Sequence, residues 1–125
     1  MYHFLLVAAG GGLGAGLRHL TNLAALRLLG PGFPWGTLTV NIAGCFAMGL
    51  FIELLARRLG GSAELRLFVA TGILGGYTTF SAFSLDFAVL YERGAMTQAF
   101  GYLAASVALS IGALFLAMWL AKSLS

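Results

Sequence analysis

The chain has 125 residues, of which 60% are hydrophobic and only 9% charged, with a net charge of +3. A soluble domain carries about 25% charged residues because its whole surface faces water, so a water-soluble enzyme is excluded. Nucleic-acid binding is excluded as well: the seven basic residues stand singly or as the pair Arg57 and Arg58, with no basic patch to follow a phosphate backbone.

Residues 1–17, 28–52, 67–85 and 94–121 contain no Asp, Glu, Lys or Arg and together hold 89 residues. A helix needs about 20 mostly apolar residues to cross a hydrocarbon core of roughly 30 Å, so these runs predict four membrane spans in one domain over residues 1–125. The expected class is an all-α membrane protein. The first run has no basic stretch before its apolar segment and three more spans follow, so it is expected to be a retained helix and not a cleaved signal.

Span one is predicted over residues 2–24. Gly10, Gly12 and Ala15 formally match a dinucleotide fingerprint, but neither a preceding strand nor a following acidic residue is present. Gly10 with Gly14, and Gly12 with Gly16, read instead as small-residue pairs that let helices approach closely in lipid, and Gly72 with Gly76 repeats the spacing in span three. Arg18 lies near the end of its span. It either snorkels to the interface or draws anions into a vestibule.

Both prolines, Pro31 and Pro34, fall in the turn before span two, which is predicted over 35–55 with Trp35 at headgroup level. Thr37, Asn41 and Cys45 follow at i, i+4 spacing, with Thr39 one step round the helix. Asn41 must face protein or a wet cavity, either joining two helices or donating to an anion. Cys45 is the single cysteine and, mid-span, reads as a small apolar side chain.

Span three is predicted over 65–91, interrupted at Gly75, Gly76, Tyr77, Thr78 and Thr79. Backbone freed at membrane depth is tolerated only inside protein or around a cavity or ion. Phe80 and Phe83 then share a helix face, and the positive edge of an aromatic ring can meet a small anion. Span four, predicted over 95–120, carries Tyr102, Ser106 and Ser110 at i, i+4, i+8, a polar line of hydroxyls that donate without net charge. No nucleophile–base spacing emerges, so no catalytic set is expected. Asp86 is the one carboxylate well inside a span.

Four spans put both termini on one side. That side holds Arg57, Arg58, Arg66 and Lys122; the other holds Arg18, Arg27 and Arg93. Because the difference in Lys and Arg sets orientation, this near balance predicts insertion both ways up and an antiparallel, dual-topology homodimer.

Gly12, Gly14, Ala15 and Arg18, then Gly36, Thr37, Leu38, Val40, Asn41 and Gly44, then the run from Gly75 through Ser81 with Phe83 and Ser84, resemble the Fluc (CrcB) fluoride channels in order, spacing and placement. The likeness covers essentially the whole chain. It implies passive fluoride export without ATP, from an antiparallel dimer in the inner (plasma) membrane of a prokaryote, with two pores and a structural sodium ion at the dimer centre. By the same resemblance, Gly75 and Thr78 offer backbone carbonyls to sodium, and Phe80, Phe83 and Asn41 line the pore. Ser106 and Ser110 form its hydroxyl track beside Tyr102, Arg18 sits at the vestibule, and Thr37 or Thr39 lines the path. Ala82 stands where the family commonly has threonine, and Asp86 where it has glutamate. The rival class, a small four-span multidrug exporter driven by protons, needs a carboxylate in its first span, and this chain has none before Glu53. A non-transporting assembly subunit would leave the polar line and the interrupted helix without a purpose.

Overall fold

The computed structural model describes residues 1–57 and 60–124, and those residues are helical wherever they are regular. Helix α1 spans Tyr2–Leu29 and α2 spans Trp35–Arg57. A short turn, α3 (Ala63–Leu65), runs into a π-helical segment, Arg66–Leu74, and on into α4 (Gly75–Tyr77). Helices α5 (Ser81–Glu92) and α6 (Met96–Leu124) complete the chain. Arg58, one of the residues in the charge balance, lies outside the described residues. Gly30 and Gly94 end α1 and α5 with φ of 81° and 77°, a left-handed backbone that glycine takes without a steric penalty.

Three helical stretches, Trp35–Arg57, Ala63–Glu92 and Met96–Leu124, are long and apolar enough to cross a membrane. Helix α1 has 28 residues, but its glycines, Arg18 and His19 lower its hydropathy, so it is not among the three. Large apolar side chains such as Phe4, Leu20, Phe115 and Trp119 are exposed along the outer faces. Helices that are hydrophobic on nearly every side suit a lipid surround.

Small residues decide how the helices meet. Helix α1 packs along the π-helical segment and α4, while α2 packs along α6. At Gly10 an added Cβ would stand 2.9 Å from Gly72 Cα, and at Gly14 it would stand 2.8 Å from Tyr77 N and collide with Ile73 O. At Gly76 it would lie 2.9 Å from Gly11 Cα. Gly12 and Gly16 behave differently, since none of the described residues outside the helix's own turn comes within 4 Å of a Cβ added at either. Two residues along a helix is about 200° of rotation, so the two glycine pairs occupy opposite faces and one face alone meets the interrupted helix. Gly49 brings α2 against α6, where an added Cβ would lie 2.9 Å from Ala117 Cβ. The same closeness gathers charge at the ends of α2 and α6. Glu53, 9% exposed, accepts from Arg57 Nε at 3.1 Å and lies 3.8 Å from Lys122 Nζ. Solvation is the default for a carboxylate at a span end, but here helix packing leaves the two cations to neutralise it.

The π-helical segment has no counterpart in the sequence pattern. Gly75 N–H reaches Ala70 O, five residues back, so the helix widens just before its interruption. Thr78 then takes an extended conformation (φ −80°, ψ 158°), and helical geometry resumes at Ser81.

Candidate functional site

The interruption between α4 and α5 is held by a side chain from α2. Asn41 Nδ2 donates to Thr79 O at 3.0 Å, and Thr79 N–H donates to Asn41 Oδ1 at 2.8 Å. The carboxamide thus pairs with the Thr79 backbone as a neighbouring strand would. The helix-joining role open to Asn41 is therefore present, and the second N–H of its amide has no bond among the described residues. Thr79 Oγ1 in turn accepts from Ala82 N at 3.1 Å, which caps the start of α5. Thr78 Oγ1 donates back to Leu74 O at 3.0 Å.

These bonds redirect two backbone donors. In a continuous helix Thr79 N–H would serve Gly75 O, and Ala82 N–H would serve Thr78 O. Asn41 takes the first donor and the Thr79 hydroxyl takes the second. Gly75 and Thr78, the two residues expected to offer carbonyls to a cation, are thus among those whose i+4 partners are lost at the interruption. A hard monovalent cation suits backbone oxygen donors, so the donor chemistry fits such an ion.

Past the interruption the rings form a series. The centroids of Phe80 and Phe83 are 5.5 Å apart, Phe83 and Tyr102 are 5.2 Å apart, and Phe33 meets Tyr102 edge-on at 5.5 Å. Phe83 and Tyr102 are buried, whereas Phe80 is 77% exposed. Tyr102 O–H donates to Asp86 Oδ2 at 3.1 Å, which accounts for a carboxylate inside a span.

Ser106 and Ser110 lie beneath these rings on the inner face of α6, 5% and 9% exposed. Neither Oγ makes a hydrogen bond of good geometry among the described residues, although the Cys45 thiol stands beside Ser110 and the Tyr102 hydroxyl beside Ser106, and both serines line a cavity of about 280 Å³. Asn41, Phe80 and Phe83 also face it, with Thr78 and Thr79 at the interruption and Cys45 on the α2 wall. The cavity is lined mainly by carbon, with neutral donors spaced along it.

Most of the residues expected to line a path therefore converge. Thr37 is buried beside a second cavity, of about 400 Å³, which Asp86, Arg93 and Asn22 also line. Thr39 is exposed, since two residues on from Thr37 it points away from both cavities. Arg18 is half-buried on α1 and lines neither cavity. Sequence reasoning gave Thr79 no role apart from the interruption. Its place three residues before Ala82 at a helix start was an available capping signal.

An all-helical chain with three helices fit to cross a bilayer and neutral polar groups gathered between them is a multi-pass membrane protein. The chain belongs to the CrcB family, whose model, described as CrcB-like protein, Camphor Resistance (CrcB), matches residues 5–118. It is 69% identical to a protein of Mesorhizobium japonicum, 63% to one of Chelativorans sp. and 52% to one of Agrobacterium fabrum. Each match covers 99% of both chains, and each of those proteins is named fluoride-specific ion channel FluC.

Proposed function

We propose that this protein is a fluoride channel and that fluoride passes through the cavity between α2, α5 and α6. The observation that carries this is the pair of buried hydroxyls, Ser106 and Ser110, which make no hydrogen bond of good geometry among the described residues and share a cavity with the Phe80–Phe83 pair and the Asn41 amide. A buried hydroxyl without a partner costs about 1–3 kcal/mol, so a site holding two of them is built for something that accepts hydrogen bonds. The names of the full-length relatives point to fluoride.

Fluoride is small and tightly hydrated, and its water must be replaced by several donors at once. Ser106, Ser110 and the second N–H of Asn41 donate to it, and the ring edges of Phe80 and Phe83 supply partial positive charge. None of these is an ion. A lysine or arginine in this apolar passage would trap the anion, whereas repeated weak sites permit both entry and release. Tyr102, held by Asp86, stands past Phe83 with Thr37 beside it, and Arg18 raises the local anion concentration at a vestibule. Flux is passive.

The reading extends to the assembly. Helix α1, at 28 residues, serves as a fourth span, both termini then lie on one side, and the chain inserts in either orientation in the inner membrane as an antiparallel homodimer with two pores. Phe80, largely uncovered at the mouth of its own cavity, supports a second copy closing that side. Gly75 and Thr78 would hold sodium through their carbonyls, and the ion would supply a fixed positive charge where the chain leaves helical geometry. A multidrug exporter is disfavoured because α1 carries no carboxylate.

Purified protein in liposomes is expected to release trapped fluoride while retaining chloride, as read by ion-selective electrodes. Absence of fluoride release from verified, folded protein would refute the proposal. Reporter fusions at the C-terminus are expected on both sides of the membrane in comparable amounts, and a single orientation would remove the antiparallel dimer.

A further inference from the structure

Cys45 stands one helical turn beyond Asn41 on α2, and its position mid-span reads as apolar packing. The structure sets it on the wall of the 280 Å³ cavity, beside Ser110, whose buried hydroxyl, like that of Ser106, makes no hydrogen bond of good geometry among the described residues. Both serines are more than nine-tenths buried, and both line a space that the described residues leave unfilled. The thiol therefore faces a place made for a guest.

We propose that Cys45 is a modification site in the wall of the ion path, one that takes a neutral thiophilic electrophile such as an organomercury chloride and closes the path when it does. The proposal rests on the channel reading given above. The chemistry of the cavity selects the ligand class. Val107, Ile111 and Phe83 make the walls apolar, and no carboxylate among the described residues faces the cavity, so a divalent metal ion would meet no negative charge to offset its lost water. A neutral mercurial avoids that cost, and sulfur is the soft ligand that mercury prefers. In the reaction a sulfur–mercury bond forms, the mercury–chlorine bond breaks, chloride departs and the thiol proton passes to water. Nothing is oxidised or reduced. The added group then projects from Cys45 into the cavity beside Ser110, and its bulk blocks the hydroxyls that an anion must reach.

The single cysteine makes the test clean, because any mercury retained by the chain lies at one atom. The whole protein in fluoride-loaded liposomes is treated with methylmercury chloride. The expected result is one methylmercury group per chain by mass spectrometry, fluoride flux lost in proportion to the labelled fraction, and slower labelling when fluoride is present. Cys45→Ser, compared with its own untreated sample, is expected to gain no mass and to lose no flux. Full labelling with unchanged flux would overturn the proposal. So would a folded protein that resists a reagent to which the unfolded chain reacts, or equal inhibition of Cys45→Ser. Failure of untreated protein to transport fluoride would count against the channel reading instead. The thiol site would then be judged by labelling alone, with protection by fluoride supporting it and a labelling rate indifferent to fluoride overturning it.

Discussion

Asn41→Leu is expected to abolish fluoride flux in reconstituted vesicles, a larger effect than that of any single hydroxyl on the path. Leucine has similar bulk but removes both bonds to Thr79, whose backbone N–H and carbonyl then lie buried without partners, Thr79 itself being 9% exposed. Each orphaned group costs about 1–3 kcal/mol, and each 1.4 kcal/mol is a tenfold change in an equilibrium or rate. The freed Thr79 N–H has a ready substitute in Gly75 O. The chain can therefore close toward continuous helix, swinging Phe80 away and withdrawing the carbonyl proposed for sodium. Asn41→Asp separates the contributions: it keeps an acceptor for Thr79 N–H but loses the donor to Thr79 O and places a negative charge on the path of an anion. Folding is expected to survive better than in Asn41→Leu, while flux is lost in both. Flux near that of the unaltered protein in Asn41→Leu would show that the clamp is dispensable.

Gly14→Val is expected to prevent assembly of the fold. The new Cβ would overlap Ile73 O and approach Tyr77 N at 2.8 Å, and both obstacles are backbone of a packed helix, which cannot rotate aside. Overpacking of even flexible cores costs about 1–3 kcal/mol, and a backbone collision belongs at or above the upper end. The measurement is the yield and thermal stability of monodisperse protein in detergent. Gly12→Val, with none of the described residues outside the helix's own turn within 4 Å of its new Cβ, is expected to leave the chain's own packing unchanged. Equal stability of the Gly14 and Gly12 variants would mean that α1 and the π-helical segment are not in backbone contact.

The elements were largely legible before the fold. Spans predicted over 35–55 and 95–120 correspond to Trp35–Arg57 and Met96–Leu124, because apolar runs bounded by charge mark where helices can sit in lipid. Much of the candidate site was legible too, since Asn41, Phe80, Phe83, Ser106 and Ser110 are polar or aromatic side chains at helical spacing in otherwise apolar runs. Spacing could not tell Thr37 from Thr39, or Gly14 from Gly12. Which face of a helix turns inward depends on its neighbour. Nor could it join Asn41 to Thr79, 38 residues apart, or show Glu53 drawn between Arg57 and Lys122.

By itself, then, the sequence determined the solvent of this protein and the materials of its interior. A chain with 9% charged residues cannot coat itself for water, and the polar groups left inside its apolar runs are mostly amides, hydroxyls and aromatic edges. Only the tertiary structure decided where those groups meet. Hydrogen bonds are short and directional, so whether the Asn41 amide pins the interrupted helix, and whether Ser106, Ser110 and Cys45 share one cavity, depends on how closely the glycine faces allow the helices to approach.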